Sequence, residues 1–171
     1  MPTYEVTAKE YEISRNAIIF DSGLLIAAFS RNSDKRAAAL YFLDQAQDTY
    51  QQWIVPIGVV VETWGFIVGK NSDWTEGSNF LDWLNTPGKN LIVIGHDGDV
   101  LDEQRIIGSL RVDCVDSMIA TLATRLFHAC GLTTSIPVAT WDTRDFYRLA
   151  GQSDIKIQLY DLNEGMLQDL G

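Results

Sequence analysis

The chain is poor in cysteine, in histidine and in positive charge, and each shortage narrows what it can do. It holds two cysteines, Cys114 and Cys130, in 171 residues. Both fall in one helical-looking stretch, too far apart along it to bond to each other. A disulfide-stapled secreted domain is excluded, and two buried free thiols in a reducing cytoplasm are expected. His96 sits beside Gly95 in a turn and His128 near a helix C-terminus, so neither supports a zinc site. No apolar run approaches the roughly 20 residues that cross a bilayer, and no membrane span is expected. The first 16 residues mix acids with Lys9 and Arg15 around no apolar core, unlike a secretory signal. The chain has no G-x-x-x-x-G-K-[ST] loop, no G-x-G-x-x-G turn and no G-x-S-x-G elbow. Nucleotide-binding and serine-hydrolase readings therefore find no support. Thirteen Lys and Arg stand against 23 Asp and Glu, a net charge of −10. A nucleic-acid binder usually carries a basic footprint. Any such binding here must be local and metal-assisted, and a basic protein partner is favoured.

A hydrophobic content of 46% fits one ordinary globular domain with a sizeable core. Short apolar strands are expected at Ala17–Phe20, 53–55, Leu91–Ile94, 136–140 and 155–160. Helical spacing is expected over 24–29, 34–48, 57–69, 73–84, 98–110 and 115–129. Strands alternate with helices throughout, which predicts an α/β fold with a mostly parallel sheet and helices on both faces. Residues 1–15 read as an N-terminal arm or tail, and 16–171 as a single domain. Trp64, Trp74 and Trp83 are expected in the core, with a dimer or partner surface as the other reading.

Acids stand where such a fold places ligands, beyond the carboxyl ends of the strands. Asp21 follows the first strand, and residues 138–146 read V-A-T-W-D-T-R-D-F, with Asp142 and Asp145 three apart. Asp113 and Asp116 repeat that offset at the start of the helix 115–129. Each of these acids is also well placed to cap a helix or favour its dipole. Glu62 is different, because it lies in V-V-V-E-T-W, where an unpaired carboxylate is costly to bury. If Asp21, Glu62, Asp116 and Asp142 met at ~5 Å, each like-charge pair would cost roughly 3 kcal/mol at an effective dielectric of ~20. Such a cluster raises its own pKa values or binds a cation, and oxygen-only ligands suit Mg²⁺ or Mn²⁺.

The order strand–Asp21–Ser22, Glu62 in a helix, V-D-S-M-I-A at 115–120 and V-A-T-W-D-T-R-D-F resembles the PIN domain, especially the VapC-like toxins of prokaryotic toxin–antitoxin pairs. The resemblance spans residues 17–160. It implies a three-layer α/β/α sandwich and an acidic quartet of Asp21, Glu62, Asp116 and Asp142. It adds Asp145 as a further metal ligand, leaves Asp113 as a helix cap, and marks Ser22 and Thr140 as hydroxyls that line the site. It implies one or two Mg²⁺ or Mn²⁺ ions, an RNA substrate cut endonucleolytically, an antitoxin partner and a homodimer. Arg144, between the last two acids, is the best candidate to hold a phosphate on so acidic a chain. The alternative is a non-catalytic PIN-like binding or scaffold module. A haloacid-dehalogenase-like phosphatase would need a second aspartate two residues after Asp21, where Gly23 stands.

Overall fold

The computed structural model describes residues 1–6, 9–88, 90–96 and 108–170. Six strands form the central sheet: β3 (Ala17–Phe20), β4 (Gln52–Pro56), β5 (Leu91–Ile94), β6 (Pro137–Thr140), β7 (Gln158–Asp161) and β8 (Met166–Asp169). Their order is β5-β4-β3-β6-β7-β8. Every neighbouring pair is parallel except β7 with β8. Every residue of β3, β4 and β6 is buried. Strands covered on both faces need no alternation, which is why A-I-I-F and Q-W-I-V-P read as near-continuous apolar runs.

Among the described residues, α-helices that join the strands and cover the sheet, giving the PIN-like α/β/α architecture, are α1 (Ser22–Phe29), α2 (Arg36–Thr49), α3 (Ile57–Trp64), α4 (Trp74–Leu84), α5 (Cys114–Ala129) and α6 (Thr143–Ala150). The expected single helix over 57–69 is divided. Beyond Trp64 it widens into a π-helical segment, Gly65–Lys70. Two glycines set how closely these helices approach their neighbours. A Cβ on Gly77 of α4 would lie 2.4 Å from Val68 Cγ2 and 3.2 Å from the Trp64 ring. One on Gly58 of α3 would lie 3.0 Å from Met118 Cε on α5. Phe20, Phe29, Trp53, Phe80 and Trp83 form one aromatic cluster, with Phe20 and Trp53 5.2 Å apart and Phe29 and Trp83 5.4 Å apart. Trp83 is half-buried and packs against the core. Trp74, also expected in the core, is 68% exposed, and its ring meets Trp64 edge-on.

Other departures are local. The arm over 1–15 carries an antiparallel hairpin, β1 (Thr3–Val6) with β2 (Lys9–Glu12). It buries Tyr4, Val6, Tyr11 and Ile13. Gln52 ties it to β4, accepting from Ser14 N at 2.9 Å and donating to Glu12 O at 2.8 Å. The last expected strand begins three residues late, at Gln158, because residues 151–154 form a turn after α6. The strand β8 was not anticipated. The expected helix over 98–110 falls outside the described residues except for its last three. Cys130 is buried, but Cys114 is exposed at the first position of α5, contrary to the expectation of two buried thiols. Among the described residues no helix is long and apolar enough to cross a membrane.

Candidate functional site

The strand order turns back between β3 and β6. The chain lays β4 and β5 on one side of β3, then returns to place β6 and β7 on the other. In open α/β sheets a ligand crevice forms at the carboxyl ends of two such strands. The residues there are Asp21, just past β3, and Thr140–Trp141–Asp142, at the end of β6. Register holds them together: Phe20 pairs with Ala139, and Asp21 N donates to Ala139 O at 3.2 Å.

Asp21 is buried and serves two purposes. Its Oδ1 caps α1, accepting from Ser22 N at 2.6 Å and, more distantly, from Ser22 Oγ at 3.4 Å. Its Oδ2 accepts from the Thr140 hydroxyl at 2.6 Å. Thr140 Oγ in turn accepts from Asp142 N at 3.0 Å. Asp142 is exposed at the rim and caps α6, accepting from Arg144 N at 3.2 Å. Ser22 and Thr140 thus both donate to Asp21.

Asp116 is the contrasting acid. It lies in the first turn of α5 and is buried. The cap of that helix is Asp113, whose Oδ1 accepts from Val115 N at 2.8 Å. Burial pushes the Asp116 carboxyl up to about 8, and the charges of Asp21, Asp113, Asp145 and Asp142 push it the same way. Asp21 is raised to about 6, by burial first and by the charge of Glu62, against the lowering hydrogen bonds from Thr140 and Ser22. These couplings bring all four expected acids within electrostatic reach, including Glu62, which is half-buried on α3. Removing like-charged carboxylates from water while holding them near one another destabilises their ionised forms, and both effects act here.

Asp145 joins this edge with its charge already matched. It is buried, and its Oδ1 accepts from Arg144 Nε and from Arg148 Nη1, each at 3.3 Å. Arg148 also donates to the carbonyl of Arg111, a residue held at φ 55°, at 3.5 Å. The expected phosphate-holder Arg144 is therefore partly engaged, though its side chain remains 71% exposed. Arg148, which the sequence offers as a weaker candidate than Arg144 for phosphate contact, is engaged in the same way, at the i,i+3 spacing that makes helical neighbours meet.

The donors suit a hard divalent cation in kind, being all oxygen, and in charge, because a cation would relieve the repulsion that raises Asp116. They are not yet gathered. Among the described residues no three acidic, histidine or cysteine side chains lie close enough to hold a metal ion as they stand. Closing on an ion would require carboxylates such as exposed Asp142 and half-buried Glu62 to turn inward.

No protein-family model matches the sequence, and no curated protein matches it. Solved structures do match in shape. The chain is similar to Mycobacterium tuberculosis VapC20, a sarcin–ricin-loop-cleaving toxin, with TM-score 0.56 and 12% identity over 81% of this chain and 98% of that one. It is equally similar to VapBC2 from Rickettsia felis, bound to a DNA fragment from its promoter, with TM-score 0.56 and 12% identity over 85% and 99% of the two chains. The fold of this chain is the PIN-like fold of the VapC toxins.

Proposed function

We propose that the chain is a metal-dependent endoribonuclease, the toxin of a type II toxin–antitoxin pair. One observation carries the reading: a carboxylate with no capping role, Asp116, is buried among other acids at the switch point of a fold shared with VapC toxins. A purely structural helix start does not need that burial. Asp21, Glu62, Asp116 and Asp142 are the residues that would hold Mg²⁺ or Mn²⁺. When bound, such an ion supplies a Lewis acid for the phosphate and lowers the pKa of water at the site.

The rest falls to the chain's own groups. Thr140 and Ser22 fix the orientation of Asp21, so the buried acid stays aimed while rim acids adjust. Asp116, pushed up to about 8 by burial and its acidic neighbours, holds a proton at neutral pH that a bound cation would displace. Arg144 is placed to meet a phosphate with the part of its guanidinium that Asp145 leaves exposed. An acidic cleft of this kind also suits a basic side chain of an antitoxin, which would occupy the place of the cation. The likeness in fold to VapBC2 from Rickettsia felis is in keeping with such a partner. A homodimer completes the proposal, with exposed Ile57 and Val61 on α3 and Trp74 on α4 as apolar surface for a second copy. Light scattering of the purified chain tests that part.

The enzymatic part is tested by incubating single-stranded and structured RNA with the protein and Mn²⁺ or Mg²⁺. Cleavage is expected, with loss on adding EDTA or in Asp116→Asn. Cleavage that survives either treatment would refute the assignment. The scaffold alternative has one observation in its favour, the open spacing of the acids. It predicts no Mn²⁺ isotherm in calorimetry, whereas the nuclease predicts one that Asp21→Asn removes.

A further inference from the structure

Trp141 stands between Thr140 and Asp142, and hydrogen bonds on both sides hold its backbone. Thr140 is tied to Asp21 through its hydroxyl and to Leu162 N through its carbonyl, at 3.0 Å. The Trp141 carbonyl accepts from Asn163 Nδ2 at 2.9 Å. The ring is half-buried against the core, and over its face lies the Lys35 ammonium, 5.0 Å from the centroid. Lys35 belongs to the connection between α1 and α2, which the register of the fold brings to this same edge. Other cations there are matched by acids: Arg31 and Arg36 by Asp73 and Glu76, Arg144 and Arg148 by Asp145. Lys35 makes no ion pair among the described residues; its partner is the indole.

We propose that Trp141 and Lys35 form a nucleotide subsite at the rim of the acidic cleft, where an unpaired RNA base stacks on the indole and the ammonium moves off the ring to the adjoining phosphate. The subsite rests on the ribonuclease reading and adds to it the groups that select and hold the substrate. The exchange is favourable. An exposed ammonium over a ring, as Lys35 is, contributes only about two- to fivefold to an equilibrium. A base stacked on an aromatic side chain contributes about five- to 150-fold, and the displaced ammonium gains a phosphate. Stacking also needs no basic footprint, which resolves how a chain of net charge −10 retains RNA. It selects single strands, because a base within a duplex already has its faces covered.

The test measures binding of fluorescein-labelled single-stranded oligoribonucleotides to the full chain by anisotropy, in Ca²⁺ buffer. Trp141→Ala is expected to weaken binding about tenfold, while Trp141→Phe stays within about threefold of the parent. Lys35→Gln is expected to reduce the dependence of log K on log salt by about 0.7. An oligonucleotide with one abasic position should bind the unmodified protein about tenfold more weakly at a single place along the strand. At that place Trp141→Ala should cost nothing further. Equal binding by the parent and Trp141→Ala, or an abasic scan on the unmodified protein with no such position, overturns the subsite and leaves the ribonuclease reading standing if RNA is still cleaved. A parent protein that neither binds nor cleaves RNA overturns both.

Discussion

Asp116 offers the sharpest test, because its cost to the fold can be worked out before any substrate is known. Its carboxyl lies at 3.8 when free and at about 8 in the folded chain. The folded state therefore binds a proton that the unfolded state has released across that whole interval. Stability must fall as pH rises from about 4 to about 8, by up to ~1.4 kcal/mol per unit while the proton is held. Over the span from 3.8 to 7 that is at most ~4 kcal/mol for this group alone, and coupling with Asp21, raised to about 6, shares part of it. Asn cannot ionise, so Asp116→Asn should be more stable than the parent at pH 7 by about 2–4 kcal/mol, with the difference shrinking toward pH 4. The assay is urea unfolding at a series of pH values in EDTA. A second arm adds Mn²⁺, which should stabilise the parent by ~1.4 kcal/mol at ten times its dissociation constant and leave Asp116→Asn unchanged. A parent whose stability is flat between pH 5 and 8, or a variant with the same slope, would refute the premise that Asp116 is buried among like charges.

Three further outcomes follow from the geometry. Asp142→Asn should keep the cap of α6, since Asn caps as well as Asp, yet lose RNA cleavage; Asp142→Ala should lose cleavage and about 1 kcal/mol of stability as well, measured by thermal unfolding beside the RNA assay. Thr140→Val removes the 2.6 Å donor to Asp21 and the acceptor for Asp142 N, at a cost of about 2–3 kcal/mol at pH 7.5, and should raise the Asp21 pKa further above its ordinary range, as read by carboxyl NMR titration. Gly77→Ala would gain about 1 kcal/mol in an open helix, but its Cβ would lie 2.4 Å from Val68 Cγ2, so denaturant unfolding should show a net loss of about 1–3 kcal/mol.

The central sheet was legible because its inner strands are buried on both faces, and an apolar run such as A-I-I-F has little else to be. The outer pieces were not. In β1 the alternation is regular, with Tyr4 and Val6 inward, but it lasts only 4 residues; β8 leaves Met166 and Leu167 half-exposed. Trp74 shows the limit of composition, because a large aromatic is usually core and this one covers only the edge of Trp64. At the site, strand ends and helix starts disclosed Asp21, Asp116 and Asp142 as candidates. The ion pairs of Asp145 depend on side-chain direction along α6, and the Lys35–Trp141 contact joins residues more than a hundred positions apart. The first has a local signature in the i,i+3 spacing of Asp145 and Arg148, and the second has none.

Capping and ligation do not compete at this edge. A parallel α/β sheet delivers helix N-termini to the carboxyl ends of its strands, so aspartate is favoured there for reasons of helix stability alone. An N-cap uses one carboxylate oxygen: Asp21 caps α1 with Oδ1 while Oδ2 meets Thr140, and Asp142 caps α6 with Oδ1. Asp113 does the same for α5. Those three acids would gather at the switch point in a protein that never bound a cation. Asp116 would not be pushed inward with them, because Asp113 already caps its helix, and the dipole explains a place in the first turn without explaining burial. Asp145 is likewise buried in a first turn that another acid caps, but Arg144 and Arg148 match its charge. Among these acids, Asp116 is the buried one that neither a cap nor an ion pair with a described residue accounts for, and the functional reading stands or falls with it.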